Sequence, residues 1–319
     1  MSRFLIVGDP HVQPSNIKES ETLFSWILDL ANTHEVQYLV LLGDLFHTHN
    51  VIRLEVLEFW RLMIPRLTSA VNVIAMVGNH DMSGDHNSKT HALSVFRDLV
   101  GFTVVEEPTV IEGMVFAPYI HDHDELIQKC NALSDQATTA WVHNTPDGST
   151  FENGMYAPGG FNLSALNFKL VIGGHIHLKQ EFDKMWLPGT ARWLTASDAN
   201  HEKGVWIADF EGGELKAREY FSSEDIVSPI VSFQWKEGDD QPEIKPGQRV
   251  KIELIGSSDW ISKQKKKLTG KASISSKITD KTKPKNRKTG KSLLDFAETV
   301  YEGEHKTAVI AYMKEKKIV

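Results

Sequence analysis

Four short apolar runs, each ending in glycine and each followed at once by polar residues, set the tightest limit on how this chain can fold. They occupy residues 3–8, 38–43, 72–78 and 168–174. Apolar runs of this length without polar alternation read as strands buried on both faces. Amphipathic stretches at about 19–33 and 53–68 lie between the first three and are long enough for crossover helices. The resulting β-α-β-α-β order predicts a layered α/β fold. Ligands in such folds gather at the carboxyl ends of strands.

From about residue 180, closely spaced β segments at 185–187, 193–195, 204–210 and 214–221 predict a second sheet packed on the first. Two further strand-like runs within 230–256 read as a small appended module. Charge then divides the rest. The chain carries a net charge of −7, yet residues 261–291 hold 12 Lys and Arg against one acid, Asp280. Taking that +11 from −7 leaves −18 for everything else. A lysine-rich segment with few apolar residues predicts a tether. The domain reading is therefore 1–225 for the main domain, 226–260 for the small appended module, 261–291 for the basic tether and 292–319 for a helical tail.

The strand ends deliver Asp9 and His11, Asp44 and His47, Asn79 with His80 and Asp81, and His175 with His177; His143 adds a further imidazole. Cys130 is the only cysteine, so an internal disulfide or thiolate cluster is excluded, and any metal must be held by carboxylate, imidazole and amide groups. This mixture of oxygen and nitrogen donors suits two divalent ions, manganese first, with Fe²⁺ and Zn²⁺ as alternatives; Mg²⁺, which a pure carboxylate site would favour, is a further alternative. A carboxylate between two ions can bridge them about 3.5–4 Å apart, so that a shared water is deprotonated near neutral pH and attacks phosphorus in line. Asp44 is the natural bridge. His80 follows a ligand directly, so its ring is placed to stabilise the transition state or donate a proton, with Asp81 orienting it. Eight other histidines (His34, His49, His86, His91, His121, His123, His201 and His305) take the ordinary reading of surface or core residues.

In this order the motifs resemble the calcineurin-like metallophosphoesterase superfamily. The resemblance implies a four-layer α/β/β/α sandwich, one metal on Asp9, His11 and His177, a second on Asn79, His143 and His175, and Asp44 between them. Within that superfamily, the segment from Gly43 to His47, the approach 161–175 to His175, and the stretches 187–190 and 202–210 are similar to the Mre11/SbcD nucleases, the partners of Rad50/SbcC ATPases. That likeness covers about residues 1–222. It implies a manganese-dependent DNA exonuclease or endonuclease acting in end processing, repair or recombination, with His47 near the scissile bond and His80 on the leaving oxygen. It also implies an ATPase bound through the C-terminal tail and a homodimer formed through the 53–68 and 90–99 helices. The region after about 225 is shorter than the family's capping domain and tail, and this trimmed, acidic form is compatible with a phage member.

Two other functions share the metal site. One is a small-molecule or cyclic-nucleotide phosphodiesterase or phosphatase; the other is a DNA-anchoring subunit with vestigial catalysis. No apolar run approaches the roughly 20 residues a membrane-spanning helix needs, so a membrane is not expected as a partner. The expected compartment is the cytoplasm, that of the host for a viral protein.

Overall fold

The computed structural model describes residues 1–84, 89–270 and 272–279. The tail at 292–319, and the part of the tether from 280 on, lie outside the described residues.

Two six-stranded sheets face one another. The first runs in the order β12–β11–β1–β2–β3–β4, from Glu214–Ser222, Gly204–Glu211, Ser2–Val7, Tyr38–Leu41, Asn72–Met76 and Phe102–Val105. The second is β5–β6–β7–β8–β10–β9, from Thr109–Ile111, Met114–Phe116, Thr139–Val142, Leu170–Gly173, Met185–Leu187 and Gln180–Phe182. Helices α1 (Ile17–Thr33) and α2 (Leu54–Thr68) are the crossovers linking β1 to β2 and β2 to β3, which pair in parallel as such crossovers require.

Alternation along each strand builds the layers. Leu5 and Val7 of β1, Leu39 and Leu41 of β2, and Val73 and Ala75 of β3 join the core under α1 and α2, with Phe24, Ile27, Trp60 and Ile64 from the helices. The intervening Phe4, Ile6, Val40 and Ile74 face the other sheet and meet Phe116, Trp141, Ile172 and Trp186. Large side chains fully buried in this layer contribute about 1.5–3 kcal/mol each. The far face of the second sheet, with Val115, Ala140, Val142 and Val171, packs on Leu126 and Cys130 of α3 (His123–Asn131) and on Phe161 and Leu163. The result is the expected four-layer α/β/β/α sandwich.

Three sequence expectations change. The segments after 180 do not form one second sheet: β11 and β12 extend the first sheet, β11 antiparallel to β1, while β9 and β10 join the second. Residues 193–195 are not a strand, because their backbone is taken up by side chains: Asp198 accepts from Leu194 and Thr195 N–H groups, and Arg249 donates to Trp193 O. The 90–99 helix is only a 3₁₀ segment, Ala92–Phe96.

The appended module is a parallel three-stranded sheet of β13 (Ile230–Lys236), β14 (Arg249–Gly256) and β15 (Ser273–Ile278), with α4 (Ser258–Leu268) as the crossover from β14 to β15. β15 and all of α4 from Ile261 on fall in the segment 261–291 expected to be tether. Ile261, Gln264 and Leu268 are spaced three and four apart and form a buried stripe, Ile261 and Leu268 meeting Ile252 and Leu254, so a lysine-rich stretch still contributes one apolar face. Ser257 caps α4 by accepting from Trp260 N–H.

Candidate metal centre

Five strand ends converge at one edge of the sandwich. β1, β2 and β3 bring Asp9 and His11, Asp44, and Asn79 with His80; β7 and β8 bring His143, and His175 with His177. Four of these residues leave their strands with left-handed backbone: Asp9 (φ 31°), His11 (φ 43°), Asp44 (φ 50°) and His175 (φ 74°). For non-glycine residues such conformations cost about 1–3 kcal/mol each and persist where the surroundings enforce them. The glycines of two motifs are explained by close approach. A Cβ on Gly43 would land on the His143 ring, and one on Gly78 would land on the Asp44 carboxylate.

The seven expected ligands all meet here, in two groups. In one, His11 Nε2 lies 3.2 Å from His177 Nε2 and 3.5 Å from Asp44 Oδ2. In the other, Asn79 Oδ1 lies 3.1 Å from His143 Nε2 and 2.8 Å from His175 Nδ1, and Asp44 Oδ1 is 3.3 Å from His143 Nε2. The two carboxylate oxygens of Asp44 thus turn to different groups. Asp9 holds the frame, accepting from His175 N–H at 2.9 Å through Oδ2 while Oδ1 stays buried without a hydrogen-bond partner. His11 Nδ1 is also buried without one.

Burial makes this donor set costly unless cations join it. Asp9, His11, Asp44 and His143 are each at most 2% exposed. Burial, reinforced by the Asp44 charge and opposed by His143, pushes the Asp9 carboxyl up to about 7. Although burial acts against it, the charges of Asp44 and Asp9 hold the His143 imidazolium up to about 9, and His143 in turn keeps Asp44 ionised. Burial drives His11 well below its usual value and takes His175 to about 3. The neutral imidazoles of His11 and His175, that of His143 once its extra proton is shed, an amide oxygen and two packed carboxylates suit divalent cations, which would remove the like-charge conflict. His143 Nδ1 lies 2.6 Å from Leu42 O, so it carries the proton and leaves Nε2 for a metal.

His47 and His80 adjoin the first group: ligand nitrogens of His11, His47 and His80 lie within 4.8 Å of one another. His80 N–H donates to Asp44 Oδ1 at 2.8 Å, and its ring Nδ1 is 2.6 Å from His47 O. Asp81 does not orient that ring as expected. Its carboxylate, pushed up to about 8 by burial and the Asp44 charge, accepts from Phe46 N–H at 2.9 Å and Gly78 N–H at 3.0 Å, tying together the loops that carry Asp44 and Asn79.

Sequence reading missed several neighbours. His49, taken as ordinary, has its ring 4.0 Å from that of His80. Its place two residues after His47 was the available signal. Arg192, 1% exposed, donates to Pro10 O and His11 O and braces the first ligand loop. Tyr119, its ring 6.1 Å from that of His175, lines a cleft of about 750 Å³ that also reaches Asn79. In the cleft wall Lys89 and Lys129 pair with Glu107, and Arg97 with Glu106, so its cations are already matched.

Comparisons with known proteins point to one family. The family model described as calcineurin-like phosphoesterase matches residues 2–179. The chain is 24% identical over 235 residues to "Putative phosphoesterase 244L" of invertebrate iridescent virus 6, a match covering 67% of this chain and 78% of that protein. It is 27% identical over 180 residues to "Exonuclease subunit 1" of enterobacteria phage T4, covering 53% of this chain and 52% of the phage protein. The iridescent virus 3 protein 078R, named in the same terms as 244L, is 24% identical over 200 residues, covering 59% of this chain and 56% of its own length. No helix among the described residues is long and apolar enough to cross a membrane.

Proposed function

The chain belongs to the calcineurin-like phosphoesterase family, and from that premise we propose that it is a DNA nuclease that hydrolyses phosphodiesters with two divalent ions, manganese first among them. The observation that carries hydrolysis is Asp44, whose Oδ1 and Oδ2 lie 3.3 Å and 3.5 Å from imidazoles of two separate ligand groups. Asp9, His11 and His177 would hold one ion, Asn79, His143 and His175 the other, and Asp44 both. Ions so held supply a nucleophile at neutral pH and neutralise charge on the phosphoryl oxygens.

The protein's own groups do the rest. His80 is fixed at two points, through its N–H to Asp44 and through Nδ1 to His47 O, which leaves Nε2 to meet the leaving oxygen. Burial and the neighbouring His80 lower His47, so it meets substrate as a neutral ring. Asp81 positions both loops without touching substrate.

DNA as the substrate is supported by His47 beside the centre and by the likeness to the phage protein named as an exonuclease subunit. On this reading the chain is the nuclease subunit of a Mre11–Rad50-like complex, with residues 292–319 engaging the ATPase. Exposed Leu54 and Leu62 of α2, with Val95 and Val100, support a homodimer contact. The test is hydrolysis of linear duplex DNA beside a small aryl phosphodiester, both with Mn²⁺. Cleavage of DNA, increased by a co-purifying ATPase and ATP, is expected. Turnover of the small ester alone would move the reading to a small-molecule phosphodiesterase.

A further inference from the structure

Behind His177 stands a carboxylate that no motif marks, near its ring but not hydrogen-bonded to it. Its Nε2 faces His11 Nε2 at 3.2 Å, inside the first ligand group, and its Nδ1 lies 3.8 Å from Glu152 Oε1. That oxygen is buried and has no hydrogen-bond partner. A buried acceptor left unsatisfied is destabilising, so its presence calls for a donor. The backbone of Glu152 is well fixed: a turn joins Phe151 N–H to Met155 O at 2.9 Å, and His201 Nε2 sits 2.8 Å from Glu152 O.

Asp198 completes a trio with Glu152 and His177 whose ligand atoms lie within 4.8 Å, which raises the alternative of a third ion. The position beside Asp198 is already taken. Lys203, 1% exposed, sets its ammonium 2.5 Å from Asp198 Oδ1 and donates to His177 O at 2.8 Å. A second cation there would meet that ammonium. The Asp198–Lys203 pair therefore holds the His177 backbone, and Glu152 is left for the ring.

We propose that Glu152 is a positioning residue that accepts the His177 Nδ1–H, fixing the tautomer whose Nε2 lone pair serves the ion shared with His11. This rests on the two-ion reading of the centre but not on DNA as the substrate. The same logic operates at His143, where Leu42 O plays the accepting part. A carboxylate in that position also raises the basicity of the ligand, and loss of such partners weakens metal binding about 10- to 100-fold.

The test titrates Mn²⁺ into the full chain by calorimetry, with elemental analysis after dialysis, for the parent, Glu152→Ala and Glu152→Gln. The parent should bind two ions. Glu152→Ala should keep one at parental affinity and weaken the other at least 10-fold; Glu152→Gln, whose amide oxygen still accepts the proton without charge, should fall between. Melting of the metal-free protein should not drop in Glu152→Ala, since without the ion Glu152 Oε1 stands 3.8 Å from His177 Nδ1 and makes no hydrogen bond to lose. In a His11→Ala background the substitution should add nothing, because both act on one ion. Parental affinity at both sites in Glu152→Ala would overturn the proposal, as would equal weakening of both sites with a lower metal-free melting point, the mark of a purely structural role. A parent that binds no Mn²⁺ would overturn this proposal and the two-ion reading together.

Discussion

Replacing Asp81 with alanine separates a tie between loops from a role in chemistry. The residue is 3% exposed, and its two oxygens accept from Phe46 and Gly78 N–H groups. Alanine leaves two buried donors without partners, at about 1–3 kcal/mol each, so the expected loss is roughly 2–6 kcal/mol. Linkage adds a pH dependence with a definite sign. The folded carboxyl is raised to about 8, against about 4 for an unfolded aspartate, so its contribution is fully present below pH 4 and is lost as pH rises through 8. The destabilisation by Asp81→Ala should therefore be larger at pH 5 than at pH 8. Urea unfolding of the chelator-treated protein at both values measures it. A change within about 0.5 kcal/mol of the parent at pH 5, the range of an ordinary surface substitution, would refute the reasoning, as would a loss that grows with pH. Unchanged stability with lost turnover would return Asp81 to orienting His80.

Three further outcomes are expected. Asp44→Asn and His143→Ala should each abolish phosphodiester hydrolysis and lower Mn²⁺ content, read by elemental analysis; parental content and turnover in either would contradict the ligand assignment. His80→Ala should reduce turnover about 10²- to 10⁴-fold while both ions stay bound, and full activity would remove its role at the leaving oxygen. In the metal-free protein Asp9 is raised to about 7 and His143 to about 9, and both must shed protons to become ligands. Mn²⁺ binding at pH 7–8 should then release protons, and its affinity should climb toward pH 9; calorimetry in buffers of different ionisation enthalpy would detect the opposite sign.

That Asp9, His11, Asp44, Asn79, His143, His175 and His177 would come together was legible in sequence because each follows closely on a buried strand, where chain direction leaves little freedom. Strands β1, β2, β3 and β8 announced themselves by unbroken apolar runs closed by glycine. Strands β5 and β9 are three residues long and lie at sheet edges, so neither carries a pattern long enough to read. The sheet that β11 joins was not legible either, since antiparallel pairing with β1 depends on contacts some 200 residues apart. The lysines of α4 masked a stripe of only Ile261, Gln264 and Leu268. Glu152 gave no signal, because a long loop after β7 brings it to His177. For Asp81 the Gly-Asn-His-Asp motif suggests a place beside His80, but its hydrogen bonds to Phe46 and Gly78, formed only by the fold, show what it ties together.

Anomalous diffraction from crystals grown with Mn²⁺ tests the two-ion centre most directly. Two peaks about 3.5–4 Å apart, with Asp44 touching both, His11 and His177 on one and Asn79, His143 and His175 on the other, are the expected result. A single peak, or a pair that Asp44 does not bridge, would contradict it.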